Sequence, residues 1–443
     1  MQIHILSRNL IKPSSPTPRD RKNLKLSFID ELSPPVYPTM IYYYPANSSK
    51  CRAKNVDRRH QLEKSLSDTL TLFYPLAGRF IKDKLLVDCN DQGVEYLEAQ
   101  VDGQLSEILQ GEPNTELLNH LAPFVAESDT SPLVAIQINV FDCGGLVIGV
   151  RVSHRVADGF SLFGFIREWA TVSRVGINEA IRPSFDAASL LPVGDISWVK
   201  PQTTKNKGAK FVTRRFIFDG TAISSLKAKA KAKASRVDVV MACIWRALIC
   251  IAQAKNGHLR PSLLNHPMNL RGKMFSPLLE NCFGNLYRRC MVRFMGDENE
   301  MEFHDLVSLL QDAKRNAITE CEKTLKDGDY GLMSVINSFK ELHEELYNDE
   351  VDLHPMSSVC NFPIYEADFG WGKPSWVSRV SVPLELVVLM DTKYGNGIEA
   401  WVSLEEKDML QFQQDPNIVA YISLSHPTID NRQSSYNALR SSL

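Results

Sequence analysis

The sequence predicts an α/β protein with two domains of similar size. Its 443 residues exceed what one core of ordinary size holds, and strand and helix patterns alternate in both halves. Between the halves, residues 191–212 are rich in Pro, Gly, Lys and Thr and show little periodicity, which is typical of a crossover linker. We expect an N-terminal domain over 1–190, a C-terminal domain over 213–424 and a disordered polar tail over 425–443.

The first half alternates helical and extended patterns. Leucine spacing in LEKSLSDTLTLFYPLAGRF predicts a helix that ends at Pro75. Residues 85–102 alternate on both sides of an Asn-Asp-Gln-Gly turn and predict a β-hairpin. Residues 131–154 predict two further strands around a Cys-Gly-Gly turn, and GFSLFGFIREWATVSR predicts a helix over 159–174.

The second half has the same mixture. RRFIFDG predicts a strand, SRVDVVMACIWRALICIAQAK predicts a buried helix, and LLNHPMNLR and CFGNLYRRCMVRFM predict two strands. The remaining predicted elements are helices over 302–324 and 330–347, strands over 376–384, 386–391 and 398–403, and a last helix near 406–418. Both halves therefore combine strands with helices, as an α/β fold requires.

The composition indicates a soluble, cytoplasmic protein, and we take a monomer as the default. Hydrophobic residues make up 44% and the formal net charge is -2, which gives no reason to expect nucleic acid or an anionic membrane as a partner. No run approaches the roughly 20 apolar residues of a spanning helix, and the first residues lack a secretory pattern. The nine cysteines include no CxxC, which indicates reduced thiols without disulfides or a zinc site.

Two motifs resemble sites of other chemistries. Residues 395–400 match the GxGxxA dinucleotide fingerprint, but the following IEAWVSL alternates like a strand where the fingerprint needs a helix. Ser161 in GFSLFG is flanked by Phe160 and Leu162, which leaves no small-residue elbow for a nucleophilic serine. We therefore interpret the glycines as a hairpin turn and the serine as part of a helix.

The run LKAKAKAKASR places four lysines two residues apart, at Lys227, Lys229, Lys231 and Lys233. On a helix this spacing spreads the charge around the cylinder, which is typical of a solvated surface. The same charges would suit a polyphosphate ligand. The sequence leaves both interpretations open.

The stretch VSHRVADGFSLFGF carries the main catalytic candidate. His154 ends a strand and Gly159 begins the next helix, a position where clefts open in α/β sheets. Because histidine titrates close to neutral pH, His154 can accept and return a proton. Asp158 can orient the imidazole or hold the loop through an arginine. As a bare pattern HxxxD is also typical of a structural histidine, and two such residues do not make a metal site.

A second stretch, YEADFGWGKPSW, places Trp371 between Gly370 and Gly372. HRVADG followed about two hundred residues later by DFGWGKP resembles the plant BAHD acyl-CoA-dependent acyltransferases. The resemblance extends over nearly the whole chain, through LSFID, FYPLAGR, VDCNDQGVEY, FDAASLLP, NLR and FGN. The sequence of these motifs is most similar to the branch that contains vinorine synthase and salutaridinol acetyltransferase, which acetylate alkaloid hydroxyls. One departure is Val359, where relatives commonly have tryptophan.

The resemblance implies a chloramphenicol acetyltransferase-like fold, in which two mixed-sheet domains enclose an active-site channel at their interface. It implies no resident cofactor. By the same resemblance, the co-substrate is an acyl-CoA, with acetyl-CoA as the expected donor. The acceptor is a hydroxyl of a plant alkaloid or terpenoid. His154 would act as general base, so that no acyl-enzyme is needed. We expect no metal, nucleic acid, membrane or obligate protein partner.

The family pattern also implies roles for other residues. Asp158 would point away from the reacting centre and pair with Arg271, and together with Gly159 it would shape the loop that presents His154. Trp371 would serve as an oxyanion donor or lie on the CoA side, within a structural motif. The other residues with implied roles are Asp368, Gly370 and Gly372 in that motif, and Ser235 and Arg236 at the CoA phosphates.

Three alternatives remain at this point. The condensation domain of peptide synthetases shares an HxxxDG core, but a second histidine precedes the motif there and this chain has Ser153. A non-catalytic relative that binds a ligand or a protein would also retain the fold. A metal-dependent hydrolase is the third alternative, and loss of activity on chelation would support it.

Overall fold

Two mixed β-sheets organise the chain. The computed structural model describes residues 1–46, 51–111, 115–124, 128, 130–194, 196–199, 209–231, 233–272, 280–297, 301–327 and 329–423. The predicted tail over 425–443 and residues 200–208 of the predicted linker lie outside this part of the chain. Within it, each of the two large sheets has six strands and a small third sheet has three. The α/β prediction is therefore confirmed.

The strands and helices alternate along the chain. The strands are β1 (Ile3–Ile11), β2 (Asn23–Lys25), β3 (Thr39–Tyr44), β4 (Arg79–Ile81), β5 (Leu86–Asp88), β6 (Val94–Val101), β7 (Val134–Phe141), β8 (Leu146–Val152), β9 (Phe211–Phe218), β10 (Ser262–Asn269), β11 (Tyr287–Phe294), β12 (Asp352–Ser358), β13 (Trp376–Arg379), β14 (Leu386–Asp391) and β15 (Ile398–Glu405). The helices are α1 (Phe28–Leu32), α2 (Cys51–Leu72), α3 (Leu105–Gln110), α4 (Thr115–His120), α5 (Gly159–Val175), α6 (Ala187–Leu190), α7 (Gly220–Lys229), α8 (Arg236–Asn256), α9 (Phe303–Asp327), α10 (Asp329–Glu345), α11 (Glu406–Gln414) and α12 (Pro416–Val419).

The first sheet has the strand order β1-β6-β7-β8-β3-β13. Strands β6 and β7 run parallel and the other pairs are antiparallel. Helices α2 and α5 pack together beside it, where the indole of Trp169 donates to the Leu62 carbonyl at 3.2 Å. The predicted strands on either side of the Cys-Gly-Gly turn are β7 and β8, and they pair as predicted.

The second sheet has the strand order β11-β10-β12-β14-β15-β9. Helix α8 lies in the hydrophobic core that packs against this sheet, and most residues of the helix are buried. This helix is long and apolar enough to cross a membrane, with a mean hydropathy of 1.8 over its most apolar window, but most of that window is buried inside the protein. Its hydrophobicity is therefore explained by its place in the second core.

Two sequence predictions differ from the structure. The segment over 85–102 does contain strands β5 and β6, but they do not pair as a hairpin: β5 pairs with β2 and β4, and β6 pairs with β1 and β7. Alternation is a local signal, whereas pairing depends on distant segments. The last helix is also interrupted, because Asp415 adopts an extended conformation and Pro416 begins α12.

One segment of the second half crosses to the first sheet. Strand β13 pairs antiparallel with β3, with Trp376 opposite Tyr43 and Arg379 opposite Met40. Trp376 stacks on Tyr43 at 4.8 Å and on Trp401 of the second sheet at 6.3 Å between ring centroids. The domain limits drawn from the sequence remain a proposal, and this strand links the two sheets directly.

Candidate active site

His154 lies two residues beyond β8, at the junction of the two halves. Its backbone N–H donates to the Val36 carbonyl at 2.9 Å, which continues the β8 ladder past Val152. Its imidazole lies edge-on to the ring of Tyr287 from β11, with 6.3 Å between the centroids. The structure thus places His154 between the first and second sheets, as the resemblance implies.

Asn285 sets the orientation of the His154 ring. The Asn285 amide nitrogen donates to the His154 carbonyl at 2.7 Å and to Asp30 Oδ1 at 2.8 Å, so its Oδ1 must be the atom that faces His154 Nδ1, at 3.1 Å. An amide oxygen only accepts, and Nδ1 therefore carries the proton. The lone pair is then on Nε2, which has no hydrogen-bond partner in the described part of the chain.

Asp30 holds the amide of Asn285 in turn. Its Oδ1 accepts from the Asn285 backbone N–H at 2.9 Å as well as from the amide, and its Oδ2 accepts from the Ser27 N–H at 2.8 Å and the Ser27 hydroxyl at 2.7 Å. Ser27 caps helix α1 and fixes this carboxylate locally. Burial raises the pKa of Asp30, and the four donors oppose that effect by stabilising the carboxylate.

The surroundings keep His154 neutral. Burial lowers the pKa of the imidazole, and the positive charge of Arg289 acts in the same direction, while Asp158 and the hydrogen bond to Asn285 oppose them. The net direction is below the ordinary value of 6.5. At neutral pH the side chain is therefore a free base, which is the form that can accept a proton.

Asp158 turns away from His154 and completes a buried cluster. It caps α5 by accepting from the Ser161 N–H at 2.9 Å, and its other oxygen accepts from Arg271 at 2.7 Å and from the Leu286 N–H at 3.0 Å. Burial opposes ionisation, but the Arg271 charge and these donors outweigh it and lower the pKa of the Asp158 carboxyl. The pair between Asp158 and Arg271 is thus present, and its geometry suits a structural role.

Ser161 is occupied within the same cluster. Its hydroxyl donates to the Gly284 carbonyl at 2.9 Å and accepts from the Gly284 N–H at 3.1 Å and from Arg271 at 3.0 Å. Gly159 begins α5 against the second half, because a Cβ there would lie 3.3 Å from Val359 Cγ1. Both residues therefore position the loop, and the serine is no free nucleophile.

The DFGWG segment forms a tight loop against the first half. Asp368 Oδ1 accepts from the N–H groups of Gly370 and Gly372, both at 2.9 Å, and both glycines have positive φ, at 108° and 106°. The Phe369 carbonyl accepts from the Gln61 amide of α2 at 3.1 Å. A side chain is disfavoured at these φ values, so the glycines serve the turn itself.

The structure does not bring Trp371 to His154. The Trp371 ring stacks on Phe369 at 5.6 Å and meets Tyr44 edge-on at 6.2 Å. Tyr44 pairs with Leu146, at the opposite end of β8 from His154. Eight extended residues span roughly 25 Å at 3.3 Å each, so the indole cannot reach an oxyanion at His154. The oxyanion prediction for Trp371 is corrected accordingly.

Ser235 and Arg236 lie at the start of α8, where both make structural contacts. Ser235 caps the helix in a reciprocal pair with Asp238. Arg236 forms an ion pair with Asp391 at 3.0 Å and donates to the Gly395 carbonyl of the β14–β15 turn. That turn leads into strand β15, so the GxGxxA motif is the predicted hairpin. A contact of Ser235 or Arg236 with CoA phosphates stays a prediction.

Comparison with known proteins decides the family. The family model described as "Transferase: Transferase family" matches residues 1–419. The chain belongs to this family. The resemblance to plant BAHD acyltransferases is thereby confirmed, and the protein is an acyltransferase. Among the described residues, no three His, Cys, Asp or Glu side chains group as a metal site would require.

Relatives in this family cover the whole chain. Acetyl-CoA-benzylalcohol acetyltransferase of Clarkia breweri is 37% identical over 445 residues, covering 96% of this chain and 100% of that protein. Limonoid 21-O-acetyltransferase of Melia azedarach is 36% identical over 438 residues, covering 97% and 100%. The crystal structure of vinorine synthase matches with a TM-score of 0.83 at 32% identity, covering 96% and 100%. The two-domain acyltransferase fold is therefore shared.

Two residues of the site were not assigned from the sequence. Asn285 and Asp30 lie in FGN and LSFID, which contributed to the family resemblance but carried no predicted role. Asn285 is 131 residues from His154 and 255 from Asp30, so nothing local links them. The available signal in the sequence was the polar Asn285 next to the glycine of FGN. Only the fold shows that this amide contacts His154 and Asp30.

Proposed function

We propose that the protein transfers an acetyl group from acetyl-CoA to a hydroxyl of a small plant metabolite, with His154 as general base and without an acyl-enzyme. The relatives support the donor and the reaction class, because one is named for acetyl-CoA and both are named acetyltransferases. The observation that carries the proposal is the His154 ring, whose Nδ1–H is held by Asn285 while Nε2 is left to react.

The reaction follows from that tautomer. Nε2 takes the proton from the acceptor hydroxyl as the oxygen attacks the thioester carbonyl carbon. The C–O bond forms, the C–S bond then breaks, and the imidazolium returns its proton to the CoA thiolate. Asn285 keeps Nδ1 protonated throughout, so one histidine serves both transfers. General-base catalysis of this kind contributes about 10²–10⁴ in rate.

Direct transfer is supported by the state of one serine and two cysteines that could otherwise be considered as nucleophiles. The Ser161 hydroxyl is held on both sides by Gly284 and donates away from His154. Burial raises the pKa of the Cys282 thiol, and it raises the pKa of Cys360 to about 12. A buried thiol whose pKa is raised in this way stays protonated at neutral pH and is a poor nucleophile.

The CoA phosphates would meet the basic surface before α8. Lys227 and Lys229 lie in the last turn of α7, Lys231 and Lys233 follow it, and all four are exposed. None is needed for the core, and together they favour a polyphosphate group by charge. Arg236 would join them only if a ligand displaced its ion pair with Asp391.

Isotope-labelled acetyl-CoA tests the proposed function. Purified protein is incubated with the donor and either benzyl alcohol or a fractionated plant extract, and products are read by mass spectrometry. We expect labelled acetyl esters with the wild type and their loss with His154→Ala, whose fold is checked by circular dichroism. Absence of any ester across acetyl and longer donors would contradict the proposal.

A further inference from the structure

Strand β11 presents alternate residues to its two faces. Arg288 donates to Glu320 of α9 at 2.9 Å. Tyr287 and Arg289 are its neighbours on either side and therefore share the opposite face. Both pack against Phe339 of α10, and the Tyr287 ring also lies 6.3 Å from the ring of His154. Arg289 is thus joined to the proposed base through the ring of Tyr287.

Arg289 is a cation without a carboxylate partner. Its guanidinium carbon lies 5.1 Å from the centroid of Tyr287 and 5.3 Å from that of Phe339, and its Nε is buried without a hydrogen-bond partner. In the described residues it forms no ion pair. By contrast, Arg288 and Arg293 on the same strand both pair with glutamates. A half-buried guanidinium that lacks a counter-ion loses hydration without compensation.

Asn265 supplies a second unsatisfied group on this face. It lies on β10 opposite Met291, while Arg289 lies opposite Pro267, so Asn265 and Arg289 are diagonal neighbours about 7–8 Å apart. Asn265 is only 5% exposed, and its Oδ1 is buried without a hydrogen-bond partner. The adjacent Leu264 faces the second core, so Asn265 lies on the other face of the sheet, together with Arg289.

We propose that Arg289 and Asn265 form a subsite for a carboxylate carried by one of the two substrates. The proposal rests on the proposed function. Guanidinium binds a carboxylate through two parallel hydrogen bonds. The unpartnered Asn265 atom is Oδ1, which only accepts, and a half-turn of the amide would present the Nδ2 donor to the same carboxylate. Because the Tyr287 ring lies against both Arg289 and His154, a single small molecule that spans this ring would reach both residues. The carboxylate then supplies the counter-ion that none of the described residues provides.

Matched substrates identify the source of the carboxylate. Acceptors are 4-(hydroxymethyl)benzoate and its methyl ester, tested with acetyl-CoA, and donors are malonyl-CoA and acetyl-CoA, tested with benzyl alcohol. We expect the wild type to prefer the carboxylated member of one pair at least tenfold in kcat/KM. Arg289→Gln should bring the ratio of kcat/KM between the two members of that pair to within twofold, a ratio in which any effect of its charge on the pKa of His154 cancels. Asn265→Leu should reduce the ratio severalfold.

Arg293→Gln is the control, because it removes a cation four residues further along β11 that is already paired with Glu341 and Glu345. It should retain the preference. Wild-type ratios within twofold for both pairs, or equal losses in Arg289→Gln and Arg293→Gln, would overturn the subsite.

Calorimetric titration of 4-(hydroxymethyl)benzoate and of malonyl-CoA separates this test from the proposed function. If no alcohol is acetylated, the proposed function fails. Binding of either probe that is weakened tenfold or more in Arg289→Gln would still support the subsite, whereas binding that is absent or independent of Arg289 for both probes would overturn it.

Discussion

At the scale of single residues, three contacts define the proposed base. Asp30 orients the amide of Asn285, the amide orients the ring of His154, and the ring is left with a free Nε2. Asp158 takes no part in this chain, because both of its oxygens are used by Arg271 and by backbone donors. The motif residue that looks like a catalytic partner in the sequence is therefore structural by its contacts.

Replacing Asn285 should change the pH dependence as well as the rate. Asn285→Ala removes the acceptor for Nδ1–H, and we expect kcat to fall about 10–100-fold, as for loss of an outer residue that orients a reactive histidine. The hydrogen bond to Asn285 raises the pKa of His154, so the acid limb of kcat/KM should move to lower pH in the variant. A fall in kcat with an unchanged pH profile would contradict the positioning role.

Asp158→Asn should act mainly on stability. Breaking a buried pair with Arg271 costs about 3–5 kcal/mol, measured by urea unfolding at pH 7. Because the pKa of Asp158 is lowered in the folded protein, this stabilisation is present above its unfolded value near 3.9 and is lost as pH falls through the folded value. The wild type and the variant should therefore converge in strong acid. Equal stability at pH 7 with lost activity would assign Asp158 to the chemistry.

At the scale of elements, the long helices and most strands could be predicted because their periodicity is local, whereas the short helices α1, α3, α4 and α6 and the ten-residue α7 were not predicted. The pairing of β5 and β6 could not, since each finds partners far away in the sequence. Strand β1 was missed because most of its residues are exposed and no apolar alternation marks it. The positive φ values of Gly370 and Gly372 are a local requirement of the DFGWG turn, which is why glycine stands at both positions.

Two glycine substitutions separate backbone strain from available space. Gly164→Ala lies inside α5 with no atom within 4 Å of the new Cβ, and it should stabilise the protein by about 0.5–1 kcal/mol through helix propensity. In Gly370→Ala the new Cβ meets its nearest atom, Gln61 Nε2, at an ordinary contact distance of 3.6 Å, but φ is 108°, so the change should destabilise the protein by about 1–3 kcal/mol. Thermal unfolding measures both. If the two variants shift the midpoint in the same direction, the strain argument for the DFGWG loop is wrong.

At the scale of the whole molecule, strand β13 joins the two halves. It lies in the second half of the sequence but pairs with β3 of the first sheet. Trp376 on β13 contacts Tyr43 and Trp401, one from each sheet. Composition and periodicity predict a strand there but cannot say which sheet it joins. The same limit applies to Arg289 and Asn265, whose shared face appears only once β10 and β11 are in register.

Trp376→Ala should therefore loosen the coupling between the halves. We expect a loss of about 3–5 kcal/mol and a urea transition that splits in two, because the ring that spans both sheets is gone. Trp169→Ala is the matched control, since Trp169 is equally buried but lies within the first core. It should cost a similar amount with a single transition. A single transition in both variants would contradict the linking role of β13.

The central claim is direct acetyl transfer with His154 as the base. The decisive measurement follows labelled acetyl-CoA and benzyl alcohol in one reaction, with the ester and the intact protein mass recorded together through the first turnovers. The account predicts labelled ester from the first time point, no acetylated protein, and a rate about 10²–10⁴ lower in His154→Ala. Acetylated protein that forms before the ester, or an unchanged rate without His154, would contradict it.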